Sequence, residues 1–430
     1  MSTTHVFTSA ACNYIPKVRA LVASIRRHHP EWRVHLALSD EVPDGFDPSQ
    51  EPFDEIHPAA GLGIPDFAGW AFCHDIVELS TAIKPFLLAR LLERPDCGGV
   101  VYLDPDTLVF SPLHEVVAAL EHSSIGLTPH LVTPEPDLVG VMDNEIAALK
   151  HGIYNLGFVA VAPTATGRRF AGWWADRCYH FCRDAIPHGL FTDQRWIDLV
   201  PAFFEEVCIL RSTRLNVASW NVSTRRMTGE APDAVDVDGE PLGFYHFTGF
   251  DSGAHRTMAW KHASDQPTVL ALLDWYAALI ATLDKDPLCS LPWAYGTFVD
   301  GSPIPPAARL IYRERVDLQR AFPDPFDSTA HGYRDWWESQ GRIEYPGLFD
   351  AQHVAAEMQR IAAVLTPGFH PRADQPSSIV AGIRDRLERA VVDSAYRGEL
   401  ASRTLAVLRT EGLAAIFRRV LQRSNGRLPP

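Results

Sequence analysis

Apolar and polar positions alternate along the first 260 residues in a pattern that switches between two periods. His5-Val6-Phe7-Thr8-Ser9 reads as a short strand. Val18, Leu21, Val22 and Ile25 then fall at i, i+3, i+4, i+7 and predict a helix, with Pro16 in its first turn and Pro30 at its end. Arg33 to Asp40 alternates, with Val34, Leu36 and Leu38 on one face, and predicts a second strand. Strand-helix-strand is the unit of a parallel sheet with right-handed crossovers. A helix from Ser80 carries Ile83, Phe86, Leu87 and Leu91. The run Val100-Val101-Tyr102-Leu103 predicts a strand buried on both faces. Further strands are predicted at Ile125–Thr128, Tyr154–Val161 and Leu242–Phe250, and a helix carries Phe170, Trp173, Trp174 and Phe181. Thr192 suits the N-cap of another helix, with Asp193 and Gln194 in its first turn.

The strand at 100–103 runs straight into Asp104-Pro105-Asp106. In α/β folds the carboxyl ends of strands are where ligands bind. Two carboxylates there need a positive neighbour, and Asp-x-Asp offers hard oxygen ligands to Mg²⁺ or Mn²⁺. Two other Asp-x-Asp pairs exist. Asp236-Val237-Asp238, followed by Gly239, reads as a hairpin turn, and Asp284-Lys285-Asp286 lies in a polar, Pro-flanked stretch. Only Asp104 and Asp106 end a buried-strand pattern. The loop Ala10-Ala11-Cys12-Asn13-Tyr14 has neither a G-x-G-x-x-G run nor a Gly-rich Lys-Ser/Thr loop. Asn13 and Tyr14 suit either a turn with core packing or the holding of a flat base. Lys84 stands near a helix start, against the dipole, and so either meets an anion or is a plain surface lysine. Gly157 admits a close neighbour or marks a bulge. His246 lies in an aromatic run, a core residue unless the fold brings it to the aspartates.

Asp104-x-Asp106, Asn155-x-Gly157, Asp193-Gln194 and His246-x-x-Gly249 occur in that order inside the alternation. Together with the stretch Ser80–Leu92, they resemble the family 8 glycosyltransferases and their bacterial relatives, over roughly residues 5–262. The resemblance implies a GT-A, Rossmann-like α/β domain that moves a hexose from a nucleotide-sugar, a UDP-sugar above others, with retention. The acceptor would be a glycan or a lipid-linked glycan, in bacterial surface polysaccharide assembly. It implies that Asp104, Asp106 and His246 hold Mn²⁺ or Mg²⁺ and that Gly249 admits the phosphates. Asn13 and Tyr14 would lie beside the base, and Lys84 near the donor. Asn155, Asp193 and Gln194 would line the sugar pocket, the last two as catalytic groups, and Gly157 would belong to the donor-binding set. The family commonly continues His-x-x-Gly-x-x-Lys, and here that lysine position is Ser252. Arg256, Lys261 and Lys84 are candidates for its charge. Two rivals stand beside this reading: a binding-only relative, prompted by Ser252, and a sugar-nucleotide pyrophosphorylase, against which the missing Gly-rich loop counts.

Composition narrows the classes. A chain of 430 residues, 46% hydrophobic and 21% charged, can bury two or three sizeable cores. A formal net charge of −14 excludes a general nucleic-acid binder. Seven cysteines fit reduced thiols, and Cys178 and Cys182, at i, i+4, are expected to be buried or inert. With no secretory leader in Met1–His5 and no long apolar run, a cytoplasmic location is expected. The expected domains are 1–265 for the α/β part, 266–372 for a helical accessory part and 373–430 for amphipathic helices. Aromatic residues of 287–371 are expected mainly to fill a core, with sugar stacking as the alternative. Residues 397–430 hold seven Arg against two Glu. That balance suits either contact with an anionic membrane surface or packing on protein.

Overall fold

The computed structural model describes residues 2–365. The described residues up to Asp350 form one compact unit, and residues 351–365 belong to a second. The linker and helices predicted beyond residue 370, and the basic tail, lie outside the described residues.

Fourteen strands are described in chain order: β1 (Thr3–Ala10), β2 (Arg33–Leu38), β3 (Glu55–Pro58), β4 (Cys97–Leu103), β5 (Thr107–Val109), β6 (Ile125–Pro129), β7 (Tyr154–Val161), β8 (Arg183–Ala185), β9 (Leu190–Thr192), β10 (Val207–Ile209), β11 (Met227–Glu230), β12 (Ala234–Val237), β13 (Glu240–Pro241) and β14 (Phe244–His246). Seven of them make the central sheet, in the order β10-β6-β7-β4-β1-β2-β3. All its pairs are parallel except those of β7, which runs antiparallel to both β4 and β6. This is the α/β, Rossmann-like sheet expected, followed by helical segments from Pro267 onward.

The period-2 alternation sorts side chains to two cores. Phe7, Val100, Tyr102, Val159 and Val161 face helices Lys84–Leu92 and Ala165–Phe181. Val6, Val101, Leu103, Phe158 and Ala160 face helices Ile15–His28 and His114–His122. β2 departs from its predicted single apolar face: His35 and Ala37 are as buried as Val34 and Leu36. The strand lies inside the sheet, so both of its faces are covered.

Three local expectations change. The strand foreseen over Leu242–Phe250 is only Phe244–His246, because Phe247 N turns to bond Asp106 O at 2.9 Å and Gly249 takes φ +70°. Thr192 caps no helix: it ends β9 with φ +44°, and a short 3₁₀ turn begins at Arg195. The helix read from Ser80 breaks at Ile83, between Ile76–Ala82 and Lys84–Leu92. Asp238-Gly239 forms the predicted hairpin turn between β12 and β13, with both φ values positive. Tyr295, Tyr312, Tyr333 and Trp337 are buried, as a core role requires, and Cys178 and Cys182 are buried free thiols. Among the described residues, no single helix is long and apolar enough to cross a membrane.

Candidate functional site

The site forms where β4 stops. Asp104 N bonds Gly157 O at 2.9 Å and Thr107 N bonds Asp104 O at 3.0 Å, a tight turn that carries the chain from β4 into β5. β5 pairs antiparallel with β14, and the register sets His246 opposite Thr107. A residue 140 positions away is thereby placed on the aspartate turn. His246 Nε2 lies 3.1 Å from Asp106 Oδ1 and 3.6 Å from Asp104 Oδ2.

The tautomer of His246 follows from its other nitrogen. Nδ1 lies 3.1 Å from Asn155 Oδ1. That oxygen also accepts from Gly157 N at 3.1 Å and Asn216 Nδ2 at 3.0 Å. These two donors fix the amide with its oxygen toward the imidazole. Nδ1 therefore donates, which leaves Nε2 toward the aspartates, able to carry a proton to Asp106 or, deprotonated, to ligate a metal. Asn155 is a positioning residue in this arrangement.

Gly157 explains itself in the same geometry. A Cβ there would lie 2.3 Å from His246 Cε1 and 2.5 Å from Nδ1. The close neighbour foreseen for this glycine is the imidazole ring. Gly157→Ala is expected to displace His246 and to cost about 1–3 kcal/mol of stability by overpacking. Urea unfolding and Mn²⁺ titration check it; a variant with unchanged stability and metal affinity refutes it.

Lys84 is buried and meets anions, not solvent. Its Nζ lies 3.2 Å from Asp104 Oδ1, 3.3 Å from Asp193 Oδ2 and 3.3 Å from Leu156 O, and 4.3 Å above the Tyr102 ring. Burial opposes the ammonium charge, yet Asp104 and Asp193 outweigh it and raise the pKa to about 12. Burial holds the Asp193 carboxyl above its usual range despite Lys84. The Asp104 carboxylate is thus divided: Oδ1 takes Lys84 and the Tyr102 hydroxyl, and Oδ2 faces His246. Burial raises the Asp106 carboxyl, but His246 more than reverses this and its pKa is lowered. Burial lowers His246, and Asp106 and Asp104 outweigh it and raise its pKa.

Gln194 is held by backbone. Its Oε1 accepts from Leu156 N at 2.8 Å and its Nε2 donates to His151 O at 3.0 Å. Asn13 and Tyr14 lie in a 3₁₀ turn after β1. The Tyr14 hydroxyl donates to Asp251, and Lys17 Nζ sits 2.7 Å from Asp251 Oδ2 and 4.1 Å from the Tyr14 ring centroid. Of the residues considered for the charge missing at Ser252, Arg256 pairs with Asp274 and Lys261 with Asp143. Lys17 was not foreseen, although its place three residues after Tyr14 on a helix was visible. It lies close enough to help lower the Asp106 carboxyl. Trp220, also unforeseen, stands edge-on to His246 with ring centroids 5.5 Å apart.

Asp104, Asp106 and His246 bring two carboxylate oxygens and one imidazole nitrogen within 4.8 Å of one another. This donor set fits Mn²⁺ or Mg²⁺, with positions left for phosphate oxygens and water. Two further atoms suit a bound molecule. Asn13 Oδ1 and Trp220 Nε1 are buried without a hydrogen-bond partner in the protein. Such groups are costly unless something pairs with them.

No protein-family model matches the chain. It is 28% identical over 180 residues to the uncharacterized protein YfnF of Bacillus subtilis (strain 168), a match over 41% of this chain; the chain spans 58% of that relative's length. It is 23% identical over 310 residues to YfnD of the same organism, covering 70% of this chain and 95% of YfnD. Among solved structures it is similar to the galactosyltransferase LgtC in complex with donor and acceptor sugar analogs, at TM-score 0.40 and 19% identity over 66% of this chain and 98% of that one. It is also similar to the glycosyltransferase GlyE of Streptococcus pneumoniae TIGR4, at TM-score 0.35 and 13% identity, covering 69% of this chain and 67% of GlyE.

Proposed function

We propose that the protein is a metal-dependent glycosyltransferase that moves a hexose from a nucleotide-sugar, a UDP-sugar above others, to a glycan or lipid-linked acceptor. The observation that carries this reading is the convergence of Asp104, Asp106 and His246, with Asn155 holding the His246 tautomer. A bound Mn²⁺ or Mg²⁺ would supply Lewis-acid stabilisation to a leaving diphosphate. The protein's own groups do the rest. Lys17, itself paired with Asp251 but near enough to act on Asp106, is the candidate for the positive charge that Ser252 lacks. Asn13 and Tyr14 border the nucleotide, and Gly249 admits the phosphates. Asp193, paired with Lys84, and Gln194 would be the catalytic groups that stabilise an anomeric carbon becoming oxocarbenium-like. Gln194 and Asn155 fix the start of β7 beneath the sugar.

Retention, a role in bacterial surface polysaccharide assembly and a cytoplasmic location with peripheral membrane contact through the C-terminal basic segment extend the proposal. So does the division at residues 265 and 372, which assigns donor binding to the α/β part and acceptor binding to the helical part. Ser252 favours one second reading, a nucleotide-sugar-binding relative without turnover.

The test is NMR of the protein with a panel of nucleotide-sugars, with and without Mn²⁺, beside Asp106→Asn. Metal-dependent release of sugar from one donor, lost in the variant, is the expected result. Metal-dependent nucleotide binding without turnover, even with glycan acceptors added, selects the binding-only reading. Neither binding nor turnover overturns both.

A further inference from the structure

A second cluster of ligand-type side chains lies at the other edge of the sheet and shares no residue with the Asp104 site. His5 on β1, His35 on β2 and His57 on β3 run diagonally across adjacent strands. His5 Nδ1 lies 2.9 Å from His35 Nε2, and His35 Nδ1 lies 3.1 Å from His57 Nε2. Glu55 Oε2 stands 3.6 Å from His57 Nε2 and 3.8 Å from His35 Nδ1. His5 and His35 are buried, and His57 is 11% exposed on the edge strand.

We propose that His35 Nδ1, His57 Nε2 and Glu55 Oε2 form a binding site for a zinc-class transition metal ion, with a fourth position open to water. Ligand atoms about 2.0–2.1 Å from a tetrahedral ion lie about 3.3–3.4 Å from one another. The three separations, 3.1, 3.6 and 3.8 Å, bracket that spacing. The outer contacts orient the inner ones. His5 Nε2 faces Asp96 Oδ1 at 3.5 Å. A proton on that nitrogen leaves His5 Nδ1 to accept from His35 Nε2–H, and His35 Nδ1 then presents its lone pair toward His57 and Glu55. His5 Nε2 has no hydrogen-bond partner of its own and takes only the electrostatic influence of Asp96, while the His5–His35 contact is what orients His35 as a ligand. Burial holds His35, His57 and His5 below the usual imidazole range, so protons compete weakly for their nitrogens.

The charges around the cluster choose the class of ion. Arg94 lies 3.1 Å from Glu55, and Arg33 lies within 4 Å of both Glu55 and Asp96. These cations leave little negative charge to attract Mg²⁺ or Ca²⁺, which bind through oxygen. Two imidazole nitrogens favour zinc, nickel or copper instead. The hydrogen between His35 and His57 must leave the ligand face for an ion to bind: His57 carries it on Nδ1 instead, so the two neutral imidazoles bind the ion with no net release of protons. The ion would tie edge strand β3 to β2 through side chains of both.

The experiment uses the full chain carrying Asp106→Asn, so that the Asp104 site does not contribute. Metal-free protein is titrated with Zn²⁺ by calorimetry, and with Co²⁺ to read tetrahedral coordination by visible absorption. One zinc equivalent and a tetrahedral cobalt spectrum are expected. Both should vanish when His57→Ala is added. Glu55→Gln, which keeps the side chain's shape, should remove them in a folded protein if His57→Ala misfolds. Asp96→Asn should weaken zinc by about 10-fold or more. Absence of the equivalent overturns the proposal. So does an equivalent that survives both ligand substitutions, which would place zinc elsewhere in the protein.

Discussion

Asp106→Asn is expected to abolish metal-dependent nucleotide binding and to lower donor turnover by about 10²–10³-fold, the scale at which loss of a group stabilising developing negative charge is felt. The substitution keeps the side chain's shape and removes one of the two carboxylates that face His246 Nε2. Asp104 does not compensate, because its Oδ1 is already shared between Lys84 and Tyr102. The turn should survive, since it is held by backbone bonds from Asp104 N, Thr107 N and Phe247 N. Loss of function should therefore come without loss of fold, read as an unchanged far-ultraviolet circular dichroism spectrum. Calorimetric titration of UDP with and without Mn²⁺ measures the binding side. Mn²⁺-dependent nucleotide affinity in the variant equal to that of the parent would refute the ligand assignment of Asp106.

The sequence carried the scaffold further than it carried the site. β7 was legible at both ends because Tyr154–Val161 is a continuous apolar run with a polar start. The two-sided burial of β4 was legible from Val100–Leu103 for the same reason. β2 was not, because His35 imitates the polar half of an alternating strand while lying buried against His5 and His57. Periodicity reports side-chain type, and a histidine satisfied by other histidines defeats it. At the site, Asp104 and Asp106 were visible as carboxylates at the end of a buried strand. Lys84 was visible as a cation placed against a helix dipole. The link from His246 to the aspartates depends on the β5–β14 register, which no local pattern encodes. The positioning roles of Asn155 and Asn216 depend on three separate chain segments meeting. Thr192 misled because its residue type favours N-caps, whereas its backbone adopts a left-handed conformation at the end of β9.

Lys84→Met is expected to produce the largest loss of stability, about 3–5 kcal/mol, because it leaves a buried carboxylate without its counter-charge. Lys84 and Asp193 are 3% and 2% exposed, so solvent cannot substitute for the missing ammonium. Asp193→Asn added to Lys84→Met should recover part of the loss, and urea unfolding of the four proteins of that cycle gives the coupling directly. The pH dependence has a definite sign. In the folded protein the Asp193 carboxyl lies above its ordinary value of 3.8 through burial, even with Lys84 present. The folded state therefore binds more protons than the unfolded state between the two values, and this group's contribution to stability falls as pH rises through that window. Removing Lys84 raises the folded-state value further and widens the window upward. The penalty of Lys84→Met should accordingly be largest at neutral pH and shrink as acid protonates Asp193. The Asp193→Asn background should lack this component. A Lys84→Met penalty independent of both pH and Asp193 would mean that Lys84 stabilises the fold through its contacts with Tyr102 and Leu156 O alone, and that the charge pair beside the aspartate turn contributes nothing.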